Sequence, residues 1–350
     1  MRANLFSLTG KSDSHPLQFI RYILNAADIP LMLFRIRRLL KVQRHFMHQN
    51  LSPVLQHYLK SNDGSLDADD IRKIEKYYGL AVPALLGEAF AALRGKMLTR
   101  EERMAATFLG AATGLYDDLY DKKQLPDDYI NRLFQSSDAM EGKDSFEKLL
   151  VETWKITREN CSSPTLLSQF ATAIHRLQLK TRNQHAGSMN EGDIKHLTFE
   201  KGGYSVLLYM SLFYKTMPAE DEQLFYNAGA LLQLENDIFD VYKDSRDNIS
   251  TLVTTATEMD KIRKLYEERW NLVRSCISRT AYDAKGKMAF CKILCAIVSR
   301  GFVCLDMLKQ RQIENNGIFN PMVFERKKLI CDMEKPFNLL KTIHYYCGRL

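Results

Sequence analysis

Apolar residues recur at three- and four-residue spacing along almost the whole chain, and the alternation expected of half-buried strands is nearly absent. The pattern predicts a first helical region from about Pro16 to Asn50, interrupted at Pro30. Helices follow over Asp70–Tyr78, Val82–Arg94, Thr99–Asp121, Pro126–Phe134, Phe146–Asn160, Pro164–His185, Phe199–Lys215 and Pro218–Lys243. Three long ones close the chain, over Glu258–Tyr282, Met288–Glu314 and Pro321–Tyr346. Ser52-Pro53 and Ser163-Pro164 each spell an N-cap followed by proline at the first helical position. Thr99 stands three residues before Glu102, the spacing of a capping box. No repeat or composition break marks a boundary, so the expectation is one all-α domain over residues 1–350, with 1–60 as N-terminal helices.

Within the first region, LMLFRIRRLLKVQRHFMH sets Arg37, Lys41, Arg44 and His48 to one side and Ile36, Leu39, Leu40 and Phe46 to another. A basic amphipathic helix can lie on an anionic membrane surface, while the plainer expectation is the solvated face of a bundle. The formal charge of the 350 residues is +7, without the Lys/Arg blocks and interleaved aromatics of a nucleic-acid binder, and it suits an anionic small molecule or membrane better. Seven scattered cysteines without a CxxC pair read as buried thiols of a cytoplasmic protein. The N-terminus lacks the apolar core of a signal peptide, and no run is expected to span a membrane.

Two acidic clusters carry the candidate chemistry. Asp117, Asp118 and Asp121 crowd the C-terminal end of the Thr99 helix, where the macrodipole disfavours negative charge. Asp117 and Asp121 are one turn apart, a repulsive spacing, and a hard divalent cation would relieve it. Asp118 is turned away by about 100° and is expected to act mainly through its neighbours. Further on, Asn236, Asp240 and Asp244 recur at every fourth position of YNAGALLQLENDIFDVYKDSRDN, with Asp237 beside Asn236. Oxygen donors with no histidine or cysteine nearby suit Mg²⁺, and the absent turn glycine excludes an EF-hand loop. If the two helices faced each other across a cavity, both clusters could share an anionic ligand.

Asp117-Asp118-Leu119-Tyr120-Asp121 resembles the DDxxD motif of class I isoprenoid synthases. Asn236-Asp237-Ile238-Phe239-Asp240-Val241-Tyr242-Lys243-Asp244 resembles their second metal motif, with Asp240 in place of a hydroxyl residue and Asp244 in place of glutamate. FEKGGYSVLLY, containing Lys201, is similar to the stretch that contacts diphosphate in trans-prenyl synthases. With KYYGLAVPALLGEAFAALRG, the chain looks most like the large class IB terpene synthases, the branch of tetraprenyl-β-curcumene synthase. The resemblance runs from Ile74 to Asp247; the flanking parts match only as helices.

The resemblance implies a helical bundle around a central hydrophobic cavity, about three Mg²⁺ ions held by Asp117, Asp118, Asp121, Asn236, Asp240 and Asp244, and a prenyl diphosphate substrate. Asp117, Asp121, Asn236, Asp240 and Asp244 would be catalytic, with Lys201, Lys243, Arg182 and Arg246 as diphosphate contacts. The expected activity is that of a carbon–oxygen lyase acting on a phosphate ester: ionisation, then cyclisation or elimination to a terpene. Thr113, Tyr116, Tyr204, Tyr209, Gly229, Gln233 and Phe239 are candidate pocket-lining residues, and ordinary core packing competes with that role for each. Small residues below both clusters (Ala106, Gly110, Ala112 and Gly114; Ala228 and Gly229) would leave room for a long chain, roughly C20 or longer.

Three other functions compete. A chain-elongating synthase needs an arginine pair after the first motif, where this chain has KKQLPDDYINRLF. A head-to-head synthase of the squalene or phytoene type also uses two acidic motifs. A non-catalytic helical lipid-binding scaffold would not need both clusters together with Lys201. Finally, Asp67-Ala68-Asp69-Asp70 spells the DxDD motif of class II cyclases, but its place at a helix start reads as an N-cap.

Overall fold

In the computed structural model, residues 15–123, 125–135, 142–181 and 189–350 are described. The fold is all-helical: α1 His15–Asn50, α2 Ser52–Lys60, α3 Ala68–Lys73, α4 Glu88–Leu93, α5 Arg100–Asp121, α6 Asp127–Gln135, α7 Ser145–Asn160 and α8 Pro164–Thr181. There follow α9 Glu191–Ser211, α10 Ala219–Phe239, α11 Val241–Arg246, α12 Met259–Arg279, α13 Ala284–Glu314, α14 Arg326–Leu329 and α15 Pro336–Arg349. Two π-helical turns, Ile74–Tyr78 and Pro83–Gly87, lie between α3 and α4.

The chain divides into two compact units. One comprises Met1–Pro30, Arg176–Leu207 and Pro218–Leu350; the other Leu31–His175 and Leu208–Met217. In the second unit α5 packs along α7. Thr99 and Glu102 close the expected capping box at the start of α5, and Arg94 grips the Glu102 carboxylate at 2.7 and 2.9 Å. Gln43 of α1 docks on α5 by donating to the Gly79 carbonyl and the Thr107 hydroxyl, both at 2.8 Å. Arg103, paired with Glu88, donates in turn to Gln43 Oε1 at 3.0 Å. The buried side chains of Gln43, Thr107 and Arg103 thus all have hydrogen-bond partners.

In the first unit α10 packs on α12, α12 on α13 and α13 on α15, over a core that includes Phe225, Tyr266, Trp270, Phe290 and Phe302. The start of α1 is tied here as well: Asn25 donates to the Cys347 carbonyl at 3.0 Å, and Asp28 pairs with Lys292. α13 is, contrary to expectation, long and apolar enough to cross a membrane by length and composition, with a mean hydropathy of 1.9 over its best window. Two thirds of that window (67%) is buried inside the fold, which is how a core helix meets the same test. All seven cysteines are free thiols, and six of them are buried.

Several element boundaries differ from the pattern. Pro30 does not interrupt α1; it lies inside one 36-residue helix. Leu51 precedes α2, and Ser52 makes no side-chain cap there, whereas Ser163 does cap α8 through the Leu166 N–H at 3.2 Å. The long final helix expected from Pro321 is broken into a 3₁₀ turn, α14 and α15, because Pro336 can begin a helix but not continue one.

Candidate functional site

The two acidic clusters belong to different units. In the second unit, Asp118 is buried near the end of α5 and its two oxygens accept from Lys73 Nζ, each at 3.0 Å. Lys122 approaches the same carboxylate at 3.2 Å and also meets Asp70 at 2.5 Å and Asp67 at 3.1 Å. Burial opposes the charge on Lys122, but its carboxylate partners outweigh this and hold its pKa above the ordinary value. Asp118 is thus neutralised by two lysines. The charge expected to need a cation therefore already has two lysines beside it.

The same contacts settle the DxDD segment as structural. Asp67 accepts from the Asp69 and Asp70 N–H groups at the start of α3, and Asp70 reciprocates on the Asp67 N–H in a capping box. The backbones of Asp117 and Asp121 lie in α5, while their side chains, like the whole of Arg182, lie outside the described residues.

The small residues of α5 answer to packing. A Cβ on Gly110 would come within 3.0 Å of the Tyr78 carbonyl, and one on Gly114 would lie 3.1 Å from the Tyr78 ring. The Ile74–Tyr78 turn fills the space expected to be free below Asp117. Thr113 bonds back to the Leu109 carbonyl at 2.8 Å, and the Tyr116 hydroxyl lies 3.3 Å from His175 Nδ1. Tyr209 is buried and packs edge-on against Phe213.

The second cluster lies wholly in the first unit and is built by the crossing of α9 and α10. Gly202 and Gly229 meet there backbone to backbone, and a Cβ on either would overlap the other's carbonyl. Gly229 therefore permits a close helix approach, and the side where its Cβ would stand is filled by Gly202. The approach brings α9 side chains onto the acidic turn. The Thr198 hydroxyl donates to Asp237 Oδ2 at 3.3 Å, and Gln233 donates to Oδ1 at 2.9 Å. Lys201 lies close enough to draw down the pKa of both Asp237 and Asp244.

Asp237, only a neighbour of the motif in the sequence pattern, is one of its most buried members, while Asn236 is exposed and donates to Asp240 Oδ2 at 3.3 Å. The signal was present: positions 237, 240 and 244 follow the i, i+3, i+7 rule of a single helical face more closely than 236, 240 and 244. The helix is not continuous here. α10 ends at Phe239, and Asp240 takes the bridge conformation (φ −89°, ψ 7°) before α11 begins. The Asp240 and Asp244 N–H groups still reach back four residues, at 2.8 and 2.9 Å, so the carboxylates stay on one side.

Burial pushes the Asp244 carboxyl up to about 7, with Asp237 and Asp240 adding to the shift. Burial likewise raises Asp237 to about 6. The buried Ser245 hydroxyl, next in sequence, has no hydrogen-bond partner. On the far side of α10, buried Glu235 is raised to about 7 by burial and accepts from the Tyr266 hydroxyl at 3.3 Å, with its Oε1 unpartnered.

Carboxylates held this close without full compensation fit a hard divalent cation. Among the described residues no three His, Cys, Asp or Glu side chains are gathered as a ready-made metal cage.

Of the other expected contacts, Lys243 is exposed and Arg246 is held by Asp247 at 2.8 and 3.1 Å. Tyr204 packs edge-on against Tyr226 at 5.8 Å. The Phe239 ring has the Arg300 guanidinium over it at 5.2 Å, so one of its faces already holds a cation. In the second unit, an open depression lined by Phe46, His48, Leu98, Thr99, Arg100 and Arg103 lies at the start of α5. Its start-of-helix residue Arg100 is roughly 27 Å along α5 from Asp118, so the depression does not serve the first cluster.

Comparison with protein-family models, curated proteins and solved structures gives no match for this chain.

Proposed function

We propose that this chain is a class I terpene synthase, a Mg²⁺-dependent lyase that ionises a prenyl diphosphate and converts the cation to a cyclised or eliminated terpene. The supporting observation is the α9–α10 crossing. It sets Lys201 against buried Asp237 and Asp244, with Asp240 between them in sequence and an unpartnered Ser245 hydroxyl alongside. A cation beside two raised carboxylates, Asp237 and Asp244, would form a site for a metal-bound anion. The proposed architecture is the class I helical bundle around a hydrocarbon cavity, and the proposed location is the cytoplasm.

Asp240 and Asp244, with Asn236, would hold Mg²⁺ in the first unit, and the resemblance adds Asp117 and Asp121. When bound, the metal would supply Lewis-acid stabilisation of the leaving diphosphate. Lys201 contributes a fixed positive charge that binds the same diphosphate and favours its departure. Thr198 and Gln233 hold Asp237 in one orientation, so the turn presents its carboxylates without reorganising. Asp118, paired with two lysines, fixes the end of α5. Since glycines 110 and 229 are used in packing, a substrate of C20 or longer now rests on the resemblance to the large class IB enzymes.

The test is incubation of the full chain with prenyl diphosphates from C10 to C35 and Mg²⁺, without isopentenyl diphosphate. The expected result is diphosphate release with cyclised or eliminated hydrocarbon, lost in Asp244→Asn. Turnover only after isopentenyl diphosphate is added would establish chain elongation instead. No release from any substrate would leave a binding scaffold.

A further inference from the structure

The second unit's part of α1, from Leu31 to Asn50, carries Arg35, Arg37, Arg38, Lys41 and Arg44, and no acidic residue. All five cations are exposed, and no ion pair among the described residues involves any of them. In the same unit Lys73, Lys122, Lys123, Arg94 and Arg103 each meet a carboxylate. A row of cations left uncompensated repels itself and favours an anionic partner.

The same outer face is also apolar. Leu31 is 69% exposed, Phe34 65% and Val42 43%. Phe34, Arg37, Arg38 and Lys41 stand at i, i+3, i+4 and i+7, so the ring and the cations form one stripe. This face is not free to roll inward. Gln43 and Met47 are buried on the opposite side, and Gln43 is fixed by Gly79, Thr107 and Arg103.

We infer that this stripe docks the protein on an anionic phospholipid membrane, with Leu31 and Phe34 entering the acyl boundary and Arg37, Arg38, Lys41 and Arg44 meeting the headgroup phosphates. Both halves of the observation select a bilayer. A nucleic-acid duplex would use the cations but leave Leu31 and Phe34 in water, whereas an interfacial helix buries its apolar side chains and lets arginine and lysine reach outward to phosphate. The docking surface uses no residue of either acidic cluster and is independent of the catalytic proposal.

The full chain is tested by co-sedimentation with phosphatidylcholine vesicles, with and without about one third phosphatidylserine. The expected result is binding to the anionic vesicles only, weakening steeply as salt rises from about 0.05 to about 0.5 M. Combined Arg37→Gln, Arg38→Gln and Lys41→Gln should lower the partition coefficient by about 100-fold, at roughly five-fold per charge. Combined Leu31→Ser and Phe34→Ser should lower it by about 10-fold while leaving the salt dependence unchanged. All five positions are exposed, and circular dichroism confirms that the variants fold. Absence of sedimentation, equal binding to phosphatidylcholine alone, or binding untouched by either set overturns the inference. So does retention of a duplex oligonucleotide in preference to anionic vesicles.

Discussion

Gly202 and Gly229 touch backbone to backbone where α9 crosses α10, and this contact sets Lys201 and Thr198 against the acids of the second cluster. A methyl group at either position would meet the opposing carbonyl at under 3.0 Å, and backbone cannot swing aside as a side chain can. Gly229→Ala should therefore cost about 1–3 kcal/mol or more, as overpacking does. At about 2–4 °C per kcal/mol, that corresponds to a fall of roughly 2–12 °C in Tm. Thermal unfolding followed by circular dichroism measures it. An unchanged Tm would mean that the helices are further apart and that position 229 is open to substrate after all.

The Asp118 carboxylate is buried, and its charge is balanced by Lys73 and Lys122. Removing one lysine leaves the other, so Lys73→Met alone should destabilise by about 1–2 kcal/mol. Removing both leaves a buried uncompensated anion, which typically costs about 3–5 kcal/mol. Adding Asp118→Asn to the double variant should restore the part of the loss that belongs to Asp118, leaving the part that comes from Asp70, which Lys122 also meets. The midpoint of urea unfolding across the four proteins reads the coupling directly, and strict additivity would show that the network does not act as a unit.

Much of the fold was legible because helical period, proline and capping chemistry are local. Thr99 with Glu102, Ser163 before Pro164, and Asp67 at the start of α3 all behave as their spacing requires. What could not be read was which partner meets each face. Gly110 and Gly229 carry one symbol for two uses, leaving a cavity or admitting a backbone, and only the tertiary neighbours Tyr78 and Gly202 decide between them. The lysine pairing of Asp118 is invisible in the sequence because Lys73 lies 45 residues away, and Lys122 stands beyond the motif. Asp237 was hidden for a smaller reason, a one-position choice of phase along a helix that itself breaks at Asp240.

The raised acids of α10 and α11 tie stability to pH. Glu235 and Asp244 stand near 7 and Asp237 near 6 in the folded chain, against about 4 when unfolded. Between pH 4 and those values the native state holds more protons than the unfolded state, so stability is greatest below about pH 4 for these groups and falls as pH rises to about 7. Each fully responding group contributes a slope of up to about 1.4 kcal/mol per pH unit. Urea midpoints from pH 5 to pH 8 should show the decline, and Glu235→Gln should flatten it by raising stability at pH 8 with little effect at pH 5. Adding Mg²⁺ at pH 8 should recover part of the loss through binding to the native state alone, and Asp244→Asn should reduce that recovery. Stability rising from pH 5 to pH 8 with a slope that Glu235→Gln leaves unchanged would contradict the burial of these acids.

Lys201 is the cation shared by Asp237 and Asp244, and its two proposed duties can be separated. If it serves only to offset the acids, Lys201→Met should raise their pKa values further and move the pH dependence of unfolding to higher pH. Its effect on the handling of substrate would then be small. If it also meets the diphosphate, the loss of a charge-assisted contact, worth about 1.5–3 kcal/mol, should lower kcat/KM for the prenyl diphosphate by roughly 10- to 100-fold. Inorganic diphosphate should also inhibit more weakly. Lys201→Arg retains the charge and should preserve the unfolding profile while recovering part of the diphosphate affinity, because guanidinium and ammonium present their donors differently. Steady-state kinetics and diphosphate inhibition across the three proteins distinguish the cases. A Lys201→Met protein with unaltered kcat/KM and unaltered inhibition would remove Lys201 from the substrate site and leave it as a partner of the acids alone.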